Sequence, residues 1–322
     1  MLRGMDETPA FLDLARPDVP DLAVPRGVTP FYLPLRPVRG RLIRLGVLAD
    51  ALLARHDYHP AVTPLAGQAL SLVAALATAL KFTGSFSLQI KGDGPVRMLL
   101  ADCTEAGALR GYASVTQDRL EALLAEHPNP TARQLLGDGF LAFTVDQGPD
   151  TERHQGIVQL TGDTLEEMAL HYFDVSEQTH CFLRLSCAHT EAGWRAAALV
   201  LERIAGAGGV DPEMDAQTQD ESWGTAIVLA ATVKDSELLS DSLTTDRLLW
   251  NLFGTEGVAV DRPRPLTYGC RCSRARLTDI LGTFGADDIE HMEQDGSIVM
   301  TCEFCNFDFR FTRADIARPI AH

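Results

Sequence analysis

The sequence predicts an α+β protein: an N-terminal mixed sheet-and-helix domain, a helical linker and a small C-terminal four-cysteine zinc domain. Three features carry that expectation. Between residues 28 and 210 the apolar residues switch repeatedly between helical spacing and strict alternation, which places strands and helices in mixed order. Residues 211–260 keep a helical apolar stripe but hold ten Asp or Glu against two basic residues, Lys234 and Arg247. Two close cysteine pairs follow, Cys270 with Cys272 and Cys302 with Cys305. The expected partition is a mobile tail over 1–27, an α+β core over 28–210, an acidic amphipathic linker over 211–262 and the cysteine domain over 263–322.

Residues 1–27 are rich in Pro, Asp and Arg and show no period, as a loosely held arm would. Residues 41–55 read as an amphipathic helix, with Leu42, Leu45, Leu48, Ala49 and Leu52 near helical spacing. Pro64 suits the first turn of a second helix reaching Lys81. Its stretch 65–80 is the most apolar in the chain. It is shorter than the roughly 20 apolar residues of a membrane span, and it contains Gln68 and Ser71, so a buried core helix is expected. Then Phe86, Leu88 and Ile90 alternate over 85–91, Gly92-Asp93-Gly94-Pro95 turns the chain, and 96–101 returns as the second strand of a hairpin. Further strands are expected at 140–145, 154–159 and 195–204. A helix is expected over 164–176, where Thr164 and Glu167 have capping-box spacing. The glycines at 206–209 break the chain before the linker.

In the linker, Trp223, Ile227 and Ala230 fall at i, i+4 and i+7, and Leu249, Leu252 and Phe253 at i, i+3 and i+4. Each stripe needs an apolar partner, while the opposite face carries repelling charge. Such helices are marginal alone. A solvated connector docked on the core and a switchable linker both fit.

Hydrophobic residues make up 46 %, enough for a sizeable core. The net charge of −16 argues against phosphate backbones and anionic membrane surfaces as partners. The first 20 residues include Asp6, Glu7, Pro9, Asp13, Pro17 and Asp18 and no apolar core of a secretion signal. Seven cysteines, an odd number, argue against a fully paired disulfide framework, so a cytoplasmic, reducing location is expected. P-loop, dinucleotide and nucleophile-elbow motifs are missing, and an enzyme is not expected.

The cysteines carry the chemistry. A C-x-C and a C-x-x-C separated by 29 residues supply four thiolates from two short turns, the construction of a tetrahedral four-thiolate zinc site. So short a segment cannot build a stable core unaided, whereas structural zinc contributes on the order of 10–16 kcal/mol. Metal and fold are expected to be coupled. Four thiolates on Zn2+ leave a negative site that Arg271, Arg274 and Arg276, close in sequence, can offset. Each pair is near enough to close a local disulfide once zinc leaves, the C-x-C ring being small and strained, hence easily reduced. An inert zinc ribbon is the alternative. Cys103, Cys181 and Cys187 lack ligand spacing and read as buried apolar residues. His56 and His59 read as loop residues. His180 and His189, flanking Cys181 and Cys187, read as part of a strand.

The run Tyr268-Gly269-Cys270-Arg271-Cys272-Ser273-Arg274, with Cys302-Glu303-Phe304-Cys305-Asn306, resembles the C-terminal redox switch of the heat-shock protein 33 family. So do Leu80-Lys81-Phe82, Lys91-Gly92-Asp93-Gly94-Pro95, Leu136-Gly137-Asp138-Gly139, Gln155-Gly156-Ile157-Val158, Gly162-Asp163-Thr164-Leu165, Tyr172-Phe173 and Ser176-Glu177-Gln178. The likeness spans about residues 30–315. It implies a dormant zinc-bound holdase whose four cysteines become two disulfides under oxidants, expelling zinc and unfolding the switch and linker. Freed apolar surface, with Trp223, Ile227, Leu249, Leu252 and Phe253 as expected contacts, would then hold unfolded or partly folded proteins without ATP, the oxidised chain forming a homodimer. The rival reading is a nucleic-acid-binding zinc ribbon using Arg271, Arg274, Arg276 and Arg310, against which the net charge weighs.

Overall fold

A computed structural model of the chain describes residues 21–78, 84–147, 154–204 and 216–316. They form two compact units, Asp21–Gly269 and the residues from 270 onward. The tail at 1–20, the end of the second helix at 79–81 and the glycine break at 206–209 lie outside the described residues.

The larger unit is an eleven-stranded mixed sheet with helices, the α+β class expected. It opens with a hairpin of β1 (Ala23–Leu33) and β2 (Val38–Arg44). Gly46, at φ 52° in the left-handed region that glycine tolerates, turns the chain into α1 (Val47–Leu53). The helix expected over 41–55 is therefore a strand for its first residues. Leu42 and Leu45 mimic helical spacing, but Leu42 is paired across the sheet with Thr29 and Leu199. The next helix, α2 (Thr63–Ala77), is buried on nearly every side and packs against strands from both halves of the sheet. That enclosure is why its sequence is apolar all round.

β3 (Ser85–Gly92) and β4 (Val96–Thr104) make the expected hairpin, and β5 (Ala108–Val115) extends it. After α3 (Gln117–Glu126) and α4 (Ala132–Leu136), β6 (Gly139–Asp146) pairs with β3, and β7 (His154–Gln159) with β6. The helix α5 (Leu165–Tyr172) starts on the Thr164–Glu167 capping box and ends in a π-helical turn, Phe173–Glu177. The long hairpin of β8 (Cys181–Thr190) and β9 (Gly193–Arg203) follows, β9 pairing with β2.

The linker holds α6 (Ala216–Ala230), α7 (Asp235–Leu238) and α8 (Thr245–Phe253), then β10 (Ala259–Val260) on β1. The last strand, β11 (Arg264–Tyr268), lies between β5, to which it is parallel, and β1, to which it is antiparallel. Two expected boundaries move as a result. The tail 1–27 overlaps β1, and the cysteine domain begins at Cys270 rather than at 263. In both cases isolated extended segments have backbone groups that only a neighbouring strand satisfies, which local composition does not reveal.

The linker helices lie on one face of β1, β2 and β9. Phe31, Leu33, Val38, Leu42, Ala197, Leu199 and Leu201 meet Ala226, Ala230, Val233, Leu238, Leu248, Leu249, Leu252 and Phe253 in one buried cluster. At its centre Phe31 stacks on Phe253 with ring centroids 5.5 Å apart. Gly40, opposite Phe31 in the hairpin, makes room for the ring: a Cβ there would sit 2.3 Å from it. Phe253→Ala empties a fully buried site and is expected to cost about 3–5 kcal/mol. Hydrogen exchange should show 216–253 exchanging first while β3, β4 and β6 stay protected; uniform protection throughout would refute a linker held mainly by this contact.

Candidate metal centre and the docked linker

The second unit is small. α9 (Arg274–Leu281) and α10 (Ala286–Met292) precede a sheet of β12 (Glu293–Gln294), β13 (Ser297–Cys302) and β14 (Phe307–Phe311), with α11 (Arg313–Ile316) last. Its core is Leu281, Ile289, Ile298, Phe309 and Phe311, far too few residues to stabilise a module alone.

Both cysteine pairs sit at chain turns. Cys302 ends β13 and its carbonyl accepts from the amides of Cys305 at 3.3 Å and Asn306 at 2.7 Å. Asn306, at φ 53°, turns the chain into β14. On the other side Cys270 and Cys272 run straight into α9, whose N-cap Ser273 accepts from the Arg276 amide at 3.2 Å. The four sulfurs all lie within 4.8 Å of one another. Cys270 Sγ is 3.4 Å from Cys272 Sγ and 3.7 Å from Cys302 Sγ, and Cys272 Sγ is 3.5 Å from Cys305 Sγ. A tetrahedral ion with metal–sulfur bonds of about 2.3 Å separates its sulfurs by about 3.8 Å. The donor set therefore fits one thiophilic divalent ion, and it is the one group of metal-ligating side chains brought together among the described residues.

Electrostatics agrees with the geometry. Crowding draws the Cys270 thiol down to about 7 and lowers Cys302, while Cys272 and Cys305 rise, because sulfurs this close share protons rather than ionise together. A central cation lets all four ionise. Cys270 and Cys305 are buried, Cys272 and Cys302 half-buried. Of the nearby arginines, Arg274 lies over the Phe311 ring at 4.5 Å and bonds Asp315 at 3.2 Å. It is folded into the module rather than held ready for a phosphate.

The remaining cysteines stay apart from this group. Burial pushes the thiols of Cys181 and Cys187, both in β8, up to about 12, and Cys103 is buried in β4.

The expected linker contacts divide. Leu249, Leu252 and Phe253 are buried on the sheet face, and Trp223 packs against the same cluster while half-buried. Ile227 is half-buried, and the fully buried positions of α6 are instead Ala226 and Ala230. Sequence reasoning missed Leu248 and, more consequentially, five ion pairs. Asp220, Asp235, Asp241, Asp246 and Glu256 of the linker bond Arg203, Arg184, Arg195, Arg26 and Arg36 respectively. One signal was available: Arg195 and Arg203 bracket the apolar alternation Ala197, Leu199, Leu201 on one face of a strand.

Fold and site define a two-part α+β protein whose smaller unit carries a cluster of four cysteines able to hold a metal ion. Residues 27–312 match the family described as Hsp33 protein. Among curated relatives, the 33 kDa chaperonin of Caulobacter vibrioides is 38% identical over 284 residues, 87% of this chain and 92% of that protein. The 33 kDa chaperonin of Pectobacterium atrosepticum is 34% identical over 286 residues, 88% and 92% of the two chains. Among solved structures, the 33 kDa chaperonin (heat shock protein 33 homolog) of Thermotoga maritima matches with a TM-score of 0.70 over 90% of this chain and 96% of its own, at 20% identity, a likeness of fold. The chain belongs to the Hsp33 family, and is accordingly a chaperone and not an enzyme. Among the described residues no helix is long and apolar enough to cross a membrane.

Two outcomes are expected. Cobalt(II) added to the reduced, metal-free chain should give the intense visible bands of a tetrahedral four-thiolate centre at one ion per chain, and Cys272→Ser should weaken them; octahedral spectra would refute the site. Alkylation at pH 8 should spare Cys181 and Cys187, whose thiols at about 12 are ionised to roughly one part in 10^4 there. Their reaction should speed about tenfold per pH unit, because only the thiolate attacks; peptide mapping reads this directly.

Proposed function

We propose that this chain is a redox-regulated, ATP-independent holdase in which Cys270, Cys272, Cys302 and Cys305 hold one zinc ion in the dormant state. The observation that carries the reading is a four-thiolate cluster joined by chain continuity to a linker whose apolar stripe is docked on the sheet. Zinc keeps its ligands as thiolates, the form that oxidants attack. Two equivalents of peroxide take four electrons from the four thiolates. Each O–O bond accepts two electrons from one pair and two protons from solvent to give two waters, as one S–S bond forms within that pair; disulfide sulfurs would no longer hold a zinc ion.

Without its ion the small unit loses most of its stability. The linker stripe, however, docks on the sheet of the other unit. Its release is therefore carried along the chain through β11, which ends two residues before Cys270. Loosening β11 exposes the β1 edge and the linker with it, including Trp223, Leu249, Leu252 and Phe253 and the sheet face they cover. Those surfaces hold unfolded proteins. Paired activated chains, a cytoplasmic location and indifference to nucleic acid and membranes belong to the same reading, the last supported by the −16 charge.

The test is light scattering on a chemically unfolded client diluted into the chain. The peroxide-treated, warmed chain should suppress aggregation and release about one zinc per chain, and the reduced chain should do neither. Equal behaviour of both samples with zinc retained would make the cysteines a structural staple.

A further inference from the structure

The face beneath the linker is both apolar and basic. On β9 the side chains pointing to the linker run Arg195, Ala197, Leu199, Leu201, Arg203, with a cation at each end of an apolar strip. Asp241 binds Arg195 through both carboxylate oxygens, at 2.8–3.1 Å, and that arginine side chain is only 5% exposed. Around it Arg203 bonds Asp220 at 2.7 Å, Arg184 bonds Asp235 at 2.8 Å, Arg26 bonds Asp246 at 2.6 Å and Arg36 bonds Glu256 at 2.5 Å. Arg44 donates to the backbone carbonyls of Glu237, at 2.6 Å, and Leu243. The linker thus meets the sheet as an acidic amphipathic helix meets a basic-rimmed groove.

We propose that this sheet face is a binding site for acidic amphipathic helical segments, which the docked linker occupies as an intramolecular stand-in and which unfolded clients of that chemistry occupy once it leaves. This rests on the chaperone reading above. A purely apolar segment fills the floor but strips counter-ions from five arginines, one of them buried, and an unpaired buried cation is costly. An acidic amphipathic segment satisfies floor and rim together. The tethered linker competes at a high effective concentration, so the site opens only when the tether is released. The preference is local, because the whole chain at −16 repels acidic ligands. Non-specific electrostatics would produce the opposite order.

The probe is a fluorescent peptide with the sequence of residues 216–256, net charge −5, and a neutral counterpart carrying Asp220→Asn, Asp235→Asn, Asp241→Asn, Asp246→Asn and Glu256→Gln. Anisotropy is read with three full-length proteins: reduced, peroxide-treated, and a reduced Leu249→Ala/Phe253→Ala chain whose linker lacks its anchors without any oxidation. The opened chains should bind the acidic peptide about tenfold or more tighter than the neutral one at low salt, with the ratio collapsing at about 1 M salt, where screening reaches about 3 Å. The reduced, linker-docked chain should bind neither well. Equal affinity for the two peptides, no binding to either opened chain, or a salt-insensitive ratio overturns the inference. A peroxide-treated chain that suppresses client aggregation yet shows no preference loses only this inference. A preference seen in the double variant alone, with no suppression after peroxide, keeps the surface and removes the redox reading.

Discussion

Four sulfur atoms within 4.8 Å of one another cannot all carry negative charge unless a cation lies among them. Everything about the smaller unit follows from that. Its five-residue apolar core is too small to compensate for the entropy of ordering the chain around it, and its two cysteine turns approach each other from opposite ends of the segment. Without a cation the sulfurs share protons, and what still joins the 270s to the 300s is the Arg274 contact with Asp315 and Phe311 and the small apolar core.

The linker shows a different balance. Its apolar stripe drives docking through burial, and its acids set where it docks. Exposed ion pairs are individually weak, and four of the five linker carboxylates are more than half exposed. Their role is register and partner choice more than holding strength, and the holding falls to Phe31, Phe253 and the leucines around them.

The cysteine cluster was fully legible in the sequence, because ligand spacing is a local property and tetrahedral thiolate geometry tolerates few alternatives. The β3–β4 hairpin, the α5 capping box and the buried α2 were legible for the same reason: turn, cap and burial signals lie within a few residues. β1, β5 and β11 were not, since their pairing partners are distant in the chain, and Leu42–Leu52 imitated a single helix across a strand, a glycine turn and a helix. Of the linker stripe, Leu249, Leu252 and Phe253 were correctly placed as an apolar face, but α6 buries its alanines in preference to Ile227. The helical period there is right and its phase is turned, because close approach to the sheet selects small side chains. The arginine rim was invisible as a rim, since its five members are scattered from Arg26 to Arg203 and only the folded sheet assembles them.

The position of β11 has a consequence for how this molecule is born. The strand that joins β5 to β1 is made after the linker, although both its neighbours are made well before it. Synthesis proceeds from the N-terminus, so a growing chain that has emerged only as far as the linker carries two open strand edges in the middle of its future sheet. During that interval the acidic linker is the nearest segment able to cover an adjoining face. The linker, whose helices pack on β1, β2 and β9, is thus complete before the strand that closes the sheet.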